Sequence, residues 1–470
     1  MRNFSIRKKL KNERFVIKKG IKKKKVRHRF EEFQISTKTV EQLNFLGYNY
    51  ATFVQQKSLP FTLNGRDIIL CSRTGSGKTL CFLIPMIEKL MKIHWPEKDL
   101  IGGCVISPVR ELAIQIFTIC KNISSVHKIK IGLMIGGVKF YIPDKSIIIS
   151  TIGKLCEEIL ISKFLDLDSL KILSVDEIDQ VLDLGFRKSF LQILKFMPKQ
   201  KQILLFSATL TLKIKDLIRL NLIQPIFLCT KKNSKNTYEK NLKNYYIIPK
   251  NIYQYYCIID SSLKTNFLYS FLVSHPKDKI VVIFSTNKQV NFFYMVFKKL
   301  KSNFQIFQIC GGMKQVLRTS TFVTFNQVKT GVLFATDIIS RGIDLKFLDW
   351  VVQFDCPQNI KCYLHRIGRT GRLSETGKSL LILTENENYF FFQLKRFLIP
   401  LFQIKIREKQ LIKITEKIRN LVYNEKGFYS KSYSAYLHNI RYIFSVQYSQ
   451  NPCLSKIDWF KLGSNYGITG

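Results

Sequence analysis

The chain has 470 residues, a net charge of +42 and 46% hydrophobic residues. At about 100–200 residues per domain, that length fits two or three folded domains, and the apolar share excludes a disordered chain. A positive excess of this size points to a polyanionic partner, most simply nucleic acid; the lysine bias of an AT-rich genome is the competing explanation.

The 11 cysteines stand singly, with no Cys-x-x-Cys pair, and the 6 histidines have no metal spacing. That argues against zinc and a disulfide framework and for a reducing compartment. No apolar run reaches the ~18 residues of a membrane span, and no signal-peptide core opens the chain, so no membrane partner is expected.

Residues 1–29 carry 14 Lys/Arg and one acidic residue without helical or strand period. They read as a disordered basic arm that binds phosphates or serves as an import signal. From 30 to 228, short apolar runs alternate with helical ones. Strand candidates are 67–71, 103–107, 131–135, 146–150, 170–175 and 202–206, which predicts a parallel sheet covered on both faces. Residues 229–250 turn polar and charged, as a linker does. From 251 to 397 a second α/β unit follows, with strand candidates at 279–284, 304–309, 331–335, 350–354 and 379–383. Residues 398–470 read as a small extension with helices over 408–423 and 430–444.

The stretch Cys71-Ser72-Arg73-Thr74-Gly75-Ser76-Gly77-Lys78-Thr79 lies between an apolar strand and an apolar helix. Glycines at 75 and 77 permit turns that aim several N–H groups at one anion, and the helix start adds its own. Lys78 supplies a charge for the outer phosphates and Thr79 a hydroxyl for Mg²⁺. Ser72 stands where the general phosphate loop has glycine. The second unit has no such loop, so two tandem sheets with one nucleotide loop suggest a cleft between them.

Asp176-Glu177-Ile178-Asp179 follows directly on the strand ending at Val175. Carboxylates at the carboxyl end of a parallel strand sit in the ligand crevice. Asp176 suits the metal and Glu177 the attacking water. Arg366 and Arg369 stand three apart on a helix-like segment and are expected to share a face.

With Ser207-Ala208-Thr209 and Tyr363-Leu-His-Arg-Ile-Gly-Arg-Thr-Gly-Arg372 added, residues 30 to about 395 resemble a DEAD-box ATP-dependent RNA helicase of superfamily 2. The resemblance implies two tandem RecA-like parallel-sheet domains with an ATP/RNA cleft between them, an α/β fold, plus the helical extension. It implies ATP and Mg²⁺, the metal held by Thr79 and Asp176. Around the nucleotide it places Phe30, Tyr48, Gln55, the loop from Ser72 to Thr79, and Asp344. It makes Arg366 and Arg369 arginine fingers and links the domains through Asp179, Ser207, Thr209 and His365. RNA contacts fall on Pro108, Arg110, Gly136, Gly137, Thr151 and Lys154 in the first unit. In the second they fall on Gln315, Arg318, Thr336 and Asp337.

Departures from the family pattern are Ala51 for Pro, Ile178 for Ala, Val109 for Thr, and Ile152 and Lys154 for Pro and Arg. Ser72 replaces a small alanine. Lysine at 154 keeps the charge but loses the guanidinium fork, so the first unit is expected to grip RNA less firmly. The segments 431–441 and 457–467 resemble the nucleolar ribosome-biogenesis subgroup. That implies a nucleolar monomer (in an AT-rich source, the reduced nucleus of an endosymbiont) acting on pre-rRNA or an associated small RNA with pre-ribosomal proteins. A nucleotide-gated RNA clamp with little turnover and a DNA-directed helicase are the alternative readings.

Overall fold

The computed structural model describes residues 28–72, 75–95, 100–137, 145–162, 165–207, 222, 224–229, 251–300, 304–340, 345, 347–371, 376–447 and 457–468. The basic arm through residue 27 and the linker from 230 to 250 lie outside them.

The first unit contains β1 (Ile68–Cys71), β2 (Gly103–Ser107), β3 (Ile131–Met134), β4 (Ile147–Thr151), β5 (Ile172–Val175), β6 (Gln202–Ser207) and β7 (Ile226–Cys229). They form one parallel sheet in the order β3-β4-β2-β5-β6-β1-β7. The inner strands are buried at every position, as apolar runs covered by helices on both faces must be. The covering helices are α1 (Thr37–Phe45), α2 (Phe53–Leu63), α3 (Lys78–Lys92), α4 (Arg110–Ser124), α5 (Ile152–Glu157), α6 (Ile178–Asp183) and α7 (Arg187–Lys195).

The strand order positions the site. β6 lies between β5 and β1, so the loop after β1 and the carboxylates after β5 meet over the end of β6. At that end the Ser72 N–H donates to the Ser207 carbonyl at 3.0 Å.

The second unit repeats the plan with β8 (Ile252–Ile258), β9 (Lys279–Ile283), β10 (Ile306–Ile309), β11 (Gly331–Ala335), β12 (Trp350–Gln353), β13 (Gly377–Leu383) and β14 (Phe402–Gln403). Its parallel sheet runs β10-β11-β9-β12-β13-β8-β14. Its helices are α8 (Lys264–Ser274), α9 (Asn287–Lys299), α10 (Gln315–Gln327), α11 (Ile360–Ile367) and α12 (Asn388–Arg396). Three more follow: α13 (Thr415–Asn424), α14 (Phe428–Gln447) and α15 (Trp459–Ser464).

Those last three helices are not an appendage. Ile414, Ile418, Val422, Phe428, Ala435 and Tyr466 belong to the same buried cluster as Val282, Phe293 and Phe334. Burying each large apolar side chain contributes ~1.5–3 kcal/mol. Polar anchors fix the register. The Thr265 N–H donates to Asn465 Oδ1 at 2.9 Å and the Ile414 N–H to Asn266 Oδ1 at 2.9 Å. The buried Tyr466 hydroxyl accepts from Gln289 Nε2 at 2.9 Å and Asn439 Nδ2 at 2.8 Å.

Tyr466→Phe leaves those two buried amide donors short of an acceptor. It is expected to cost ~1–3 kcal/mol, read as a lower denaturant midpoint for the second unit with the first unchanged.

Candidate active site

The phosphate loop takes the shape its glycines permit. Gly75 and Gly77 have φ of 70° and 87°, the left-handed region a Cβ disfavours. Lys78 opens α3, is buried, and donates through Nζ to the Ser72 carbonyl at 3.3 Å. The Ser72 and Ser76 hydroxyls are 2.9 Å apart. Arg73 and Thr74 lie outside the described residues.

Gln55 braces this loop. Its Nε2 donates to the Gly77 carbonyl at 2.9 Å, and its Oε1 accepts from the Thr52 N–H at 2.7 Å. Both ends of the amide expected at the nucleotide are thus engaged with the chain itself. A Cβ at Gly77 would meet Gln55 Nε2 at 2.8 Å, so the close approach also needs glycine. Phe30 is 1% exposed and packs in the first unit's core, not on an open face, whereas Tyr48 is partly exposed.

Asp176, Glu177 and Asp179 are all buried. Asp176 Oδ1 accepts from the Glu177 N–H at 2.9 Å. Glu177 holds φ of 47°, a costly conformation for a residue with a side chain, and it caps the start of α6. Burial, then the charge of Asp176, pushes its carboxyl up to about 7, against the pull of Lys78 and Arg369. Burial likewise raises Asp176, with Lys78 opposing. A carboxyl poised near neutrality is suited to accept a proton from water. The hydroxyl of Thr79 and the carboxylate of Asp176 are a hard oxygen set. They fit Mg²⁺ held jointly with phosphates and water, not a protein-only cage. Among the described residues no cluster of three or more His, Cys, Asp or Glu could hold a metal, and no helix is long and apolar enough to cross a membrane.

Helix α11 of the second unit reaches this cluster. Lys361 Nζ lies 3.2 Å from Asp179 Oδ2 and also pairs with Asp183. His365 Nε2 lies 4.0 Å from the same Asp179 oxygen. The two arginines are held differently. Arg366 turns inward: Nε and Nη2 bind Asp337 at 2.6 and 2.7 Å, and Nη1 donates to the Asp355 carbonyl at 2.9 Å. α11 ends at Ile367, so Arg369 stands in the turn beyond it, and helical spacing no longer relates the pair. The charge of Arg369 is among those that pull the Glu177 carboxyl down.

A second contact bridges the units. Gln315 Nε2 donates to Glu111 Oε1 at 3.2 Å, and Arg318 forms an ion pair with Glu111. Beside Glu111, Arg110 lies over Gly136 and Gly137; a Cβ at Gly136 would meet its Nη2 at 2.8 Å. Pro108 precedes α4, and Thr151 ends β4. Lys154 pairs with Glu157 and Glu158 at 3.0 and 2.7 Å. Thr336 follows β11. Of the residues expected at RNA, the structure thus brings Gln315 and Arg318 to Glu111, next to Arg110 with Gly136 and Gly137, and turns Asp337 to Arg366. Ser207 is buried at the end of β6. Thr209 and Asp344 lie outside the described residues.

The profile of the DEAD/DEAH box helicase family matches residues 52–217, and that of the helicase conserved C-terminal domain matches residues 263–374. The chain belongs to the DEAD/DEAH box helicase family. A Dictyostelium discoideum protein named "Probable ATP-dependent RNA helicase ddx10" is 38% identical over 432 residues, 89% of this chain and 48% of that protein. The human "Probable ATP-dependent RNA helicase DDX10" is 34% identical over 434 residues, 91% of this chain and 48% of that one. The chain thus spans about half the length of these curated relatives. The fold is that of Mss116p bound to ssRNA and AMP-PNP: TM-score 0.81, 23% identity, covering 94% of this chain and 91% of that one. A Saccharomyces cerevisiae Dbp5 structure with RNA and ADP BeF3 matches with TM-score 0.69 and 22% identity, covering 80% of this chain and 95% of that one.

Within this DEAD-box chain, sequence reasoning missed Lys361 and Glu111 as site residues. Lys361 stands four before His365 on one helix, and that spacing puts both on one face. Glu111 sits inside a motif already singled out, next to Arg110.

If Glu177 takes the proton, hydrolysis needs its ionised form, so kcat should rise with pH through about 7. Arg369→Gln removes a charge that lowers this pKa, so the acidic limb of the residual activity should move to higher pH. A limb that stays in place excludes Glu177 as the titrating group.

Proposed function

We propose that the chain is an RNA-dependent ATPase that couples ATP hydrolysis to local RNA duplex opening or remodelling of RNA–protein assemblies. The observation that carries it is the meeting of Lys361 and His365 with Asp179, two residues from Glu177. That contact joins the base in one sheet to the motif helix of the other.

The phosphate-loop amides and Lys78 hold the nucleotide, and Gln55 keeps the loop in place. Thr79 and Asp176 would hold Mg²⁺, which when bound would neutralise charge on the phosphates. Glu177 orients a water and receives its proton. Arg369 brings positive charge from the second unit, and Arg366 ties α11 to Asp337. The strand of RNA lies across Arg110, Gly136, Gly137, Thr151 and Lys154 on one side and Thr336 on the other. Gln315 and Arg318 clasp Glu111 beside that path, so grip on RNA and closure over ATP are one motion. The extension's resemblance to nucleolar family members supports the finer reading. In it the chain acts as a monomer in the nucleolus on pre-rRNA or an associated small RNA.

The test is phosphate release with and without single-stranded RNA. RNA should raise kcat, and DNA of the same sequence, lacking the 2′-OH, should not. Glu177→Gln should lower kcat ~10²–10⁴-fold and leave the binding of ATP and RNA in place. An activity indifferent to RNA contradicts the proposal.

A further inference from the structure

The run Phe354-Asp355-Cys356-Pro357 follows β12 and is held from two sides. From one side, Arg366 Nη1 donates to the Asp355 carbonyl at 2.9 Å. From the other, the hydroxyl of Tyr442, on α14, donates to the very next carbonyl, that of Cys356, at 2.9 Å. The Asp355 side chain fixes the run from a third direction, accepting from the Ser285 N–H and hydroxyl at 2.8 and 2.9 Å. Its other oxygen lies 3.7 Å from the buried Lys264 ammonium.

Tyr442 is suited to this place. Burial raises its phenol well above the ordinary range, so the hydroxyl keeps its proton and donates. Arg366, Cys362 and Asp337 all lie close enough to act on that phenol electrostatically. A helix from the last fifty residues therefore meets the run that also receives Arg366, the residue paired with Asp337 and anchoring α11. The same helix α11 carries Lys361 and His365 to Asp179.

We infer that Tyr442 is a positioning residue for hydrolysis: through the Cys356 carbonyl it sets the run that seats Arg366, and so the aim of α11 across the cleft. The consequence for turnover rests on the function proposed above; the positioning itself does not. The C-terminal helices thus act in two ways. Tyr466 and the apolar residues hold them on the second sheet, and Tyr442 connects them to the chemistry.

Tyr436 supplies the control. It lies on the same helix, and its hydroxyl donates to the Trp459 carbonyl at 3.0 Å, within the extension itself. Tyr442→Phe and Tyr436→Phe each delete one hydroxyl and keep the ring. Two readouts on the full chain separate the cases. In amide hydrogen exchange without nucleotide, Tyr442→Phe should speed exchange in 354–369, and Tyr436→Phe should not. In RNA-saturated ATP hydrolysis, Tyr442→Phe should lower kcat ~5-fold, the worth of about one hydrogen bond, with the KM for ATP within twofold, and Tyr436→Phe should match the parent. Unchanged exchange at 354–369 in Tyr442→Phe overturns the inference, as does an unchanged kcat in an active enzyme. Changed exchange in a chain that does not hydrolyse ATP keeps the positioning and refutes the function.

Discussion

Three carboxylates, Asp176, Glu177 and Asp179, are buried within four residues at the end of one strand. Like charges crowded in a low-dielectric site resist ionisation together, and burial adds to the cost. Lys78 is the first-unit cation that acts on both Asp176 and Glu177. The second unit provides Lys361 beside Asp179 and Arg369 near Glu177. Each unit is therefore electrostatically incomplete without the other. Docking α11 on α6 changes what the carboxylates can do, and not merely where they are.

The rest of the architecture follows from keeping that docking accurate. β6 stands between β5 and β1, so the nucleotide loop and the carboxylates share one sheet edge. Gln55 pins the loop through Gly77. In the second unit, Arg366 is held by Asp337, by Gln353 and by the Asp355 carbonyl, and so serves as the anchor of α11. The clasp of Glu111 by Gln315 and Arg318 lies at the other junction, where RNA-type motifs of both units meet. The two units thus meet at two polar junctions, each made of side chains from both.

Much of this was legible in the sequence, for physical reasons that differ by element. Fully buried inner strands such as 147–151 and 279–283 show through their apolar runs, Ile147–Ile149 and Ile280–Ile283. β7 escaped notice because no residue of it is fully buried, and β14 because it is exposed and only two residues long. β8 was hidden by its tyrosines and a glutamine, Ile252-Tyr-Gln-Tyr-Tyr-Cys-Ile258. The glycine loop and the four residues after Val175 were readable because their chemistry is local. The split between Arg366 and Arg369 was not, since it turns on α11 ending at Ile367. The union of the C-terminal helices with the second core was not either: apolar spacing on α13 says that a face is buried, not against what.

The central claim is that Asp179 and Lys361 act as one unit across the cleft, and a double-mutant cycle on RNA-saturated ATP hydrolysis tests it most directly. Asp179→Asn and Lys361→Met should each lower kcat. The double variant should be no worse than the poorer single, a coupling of about 0.5–3 kcal/mol. Losses that simply multiply, or single variants that hydrolyse like the parent, would contradict the account.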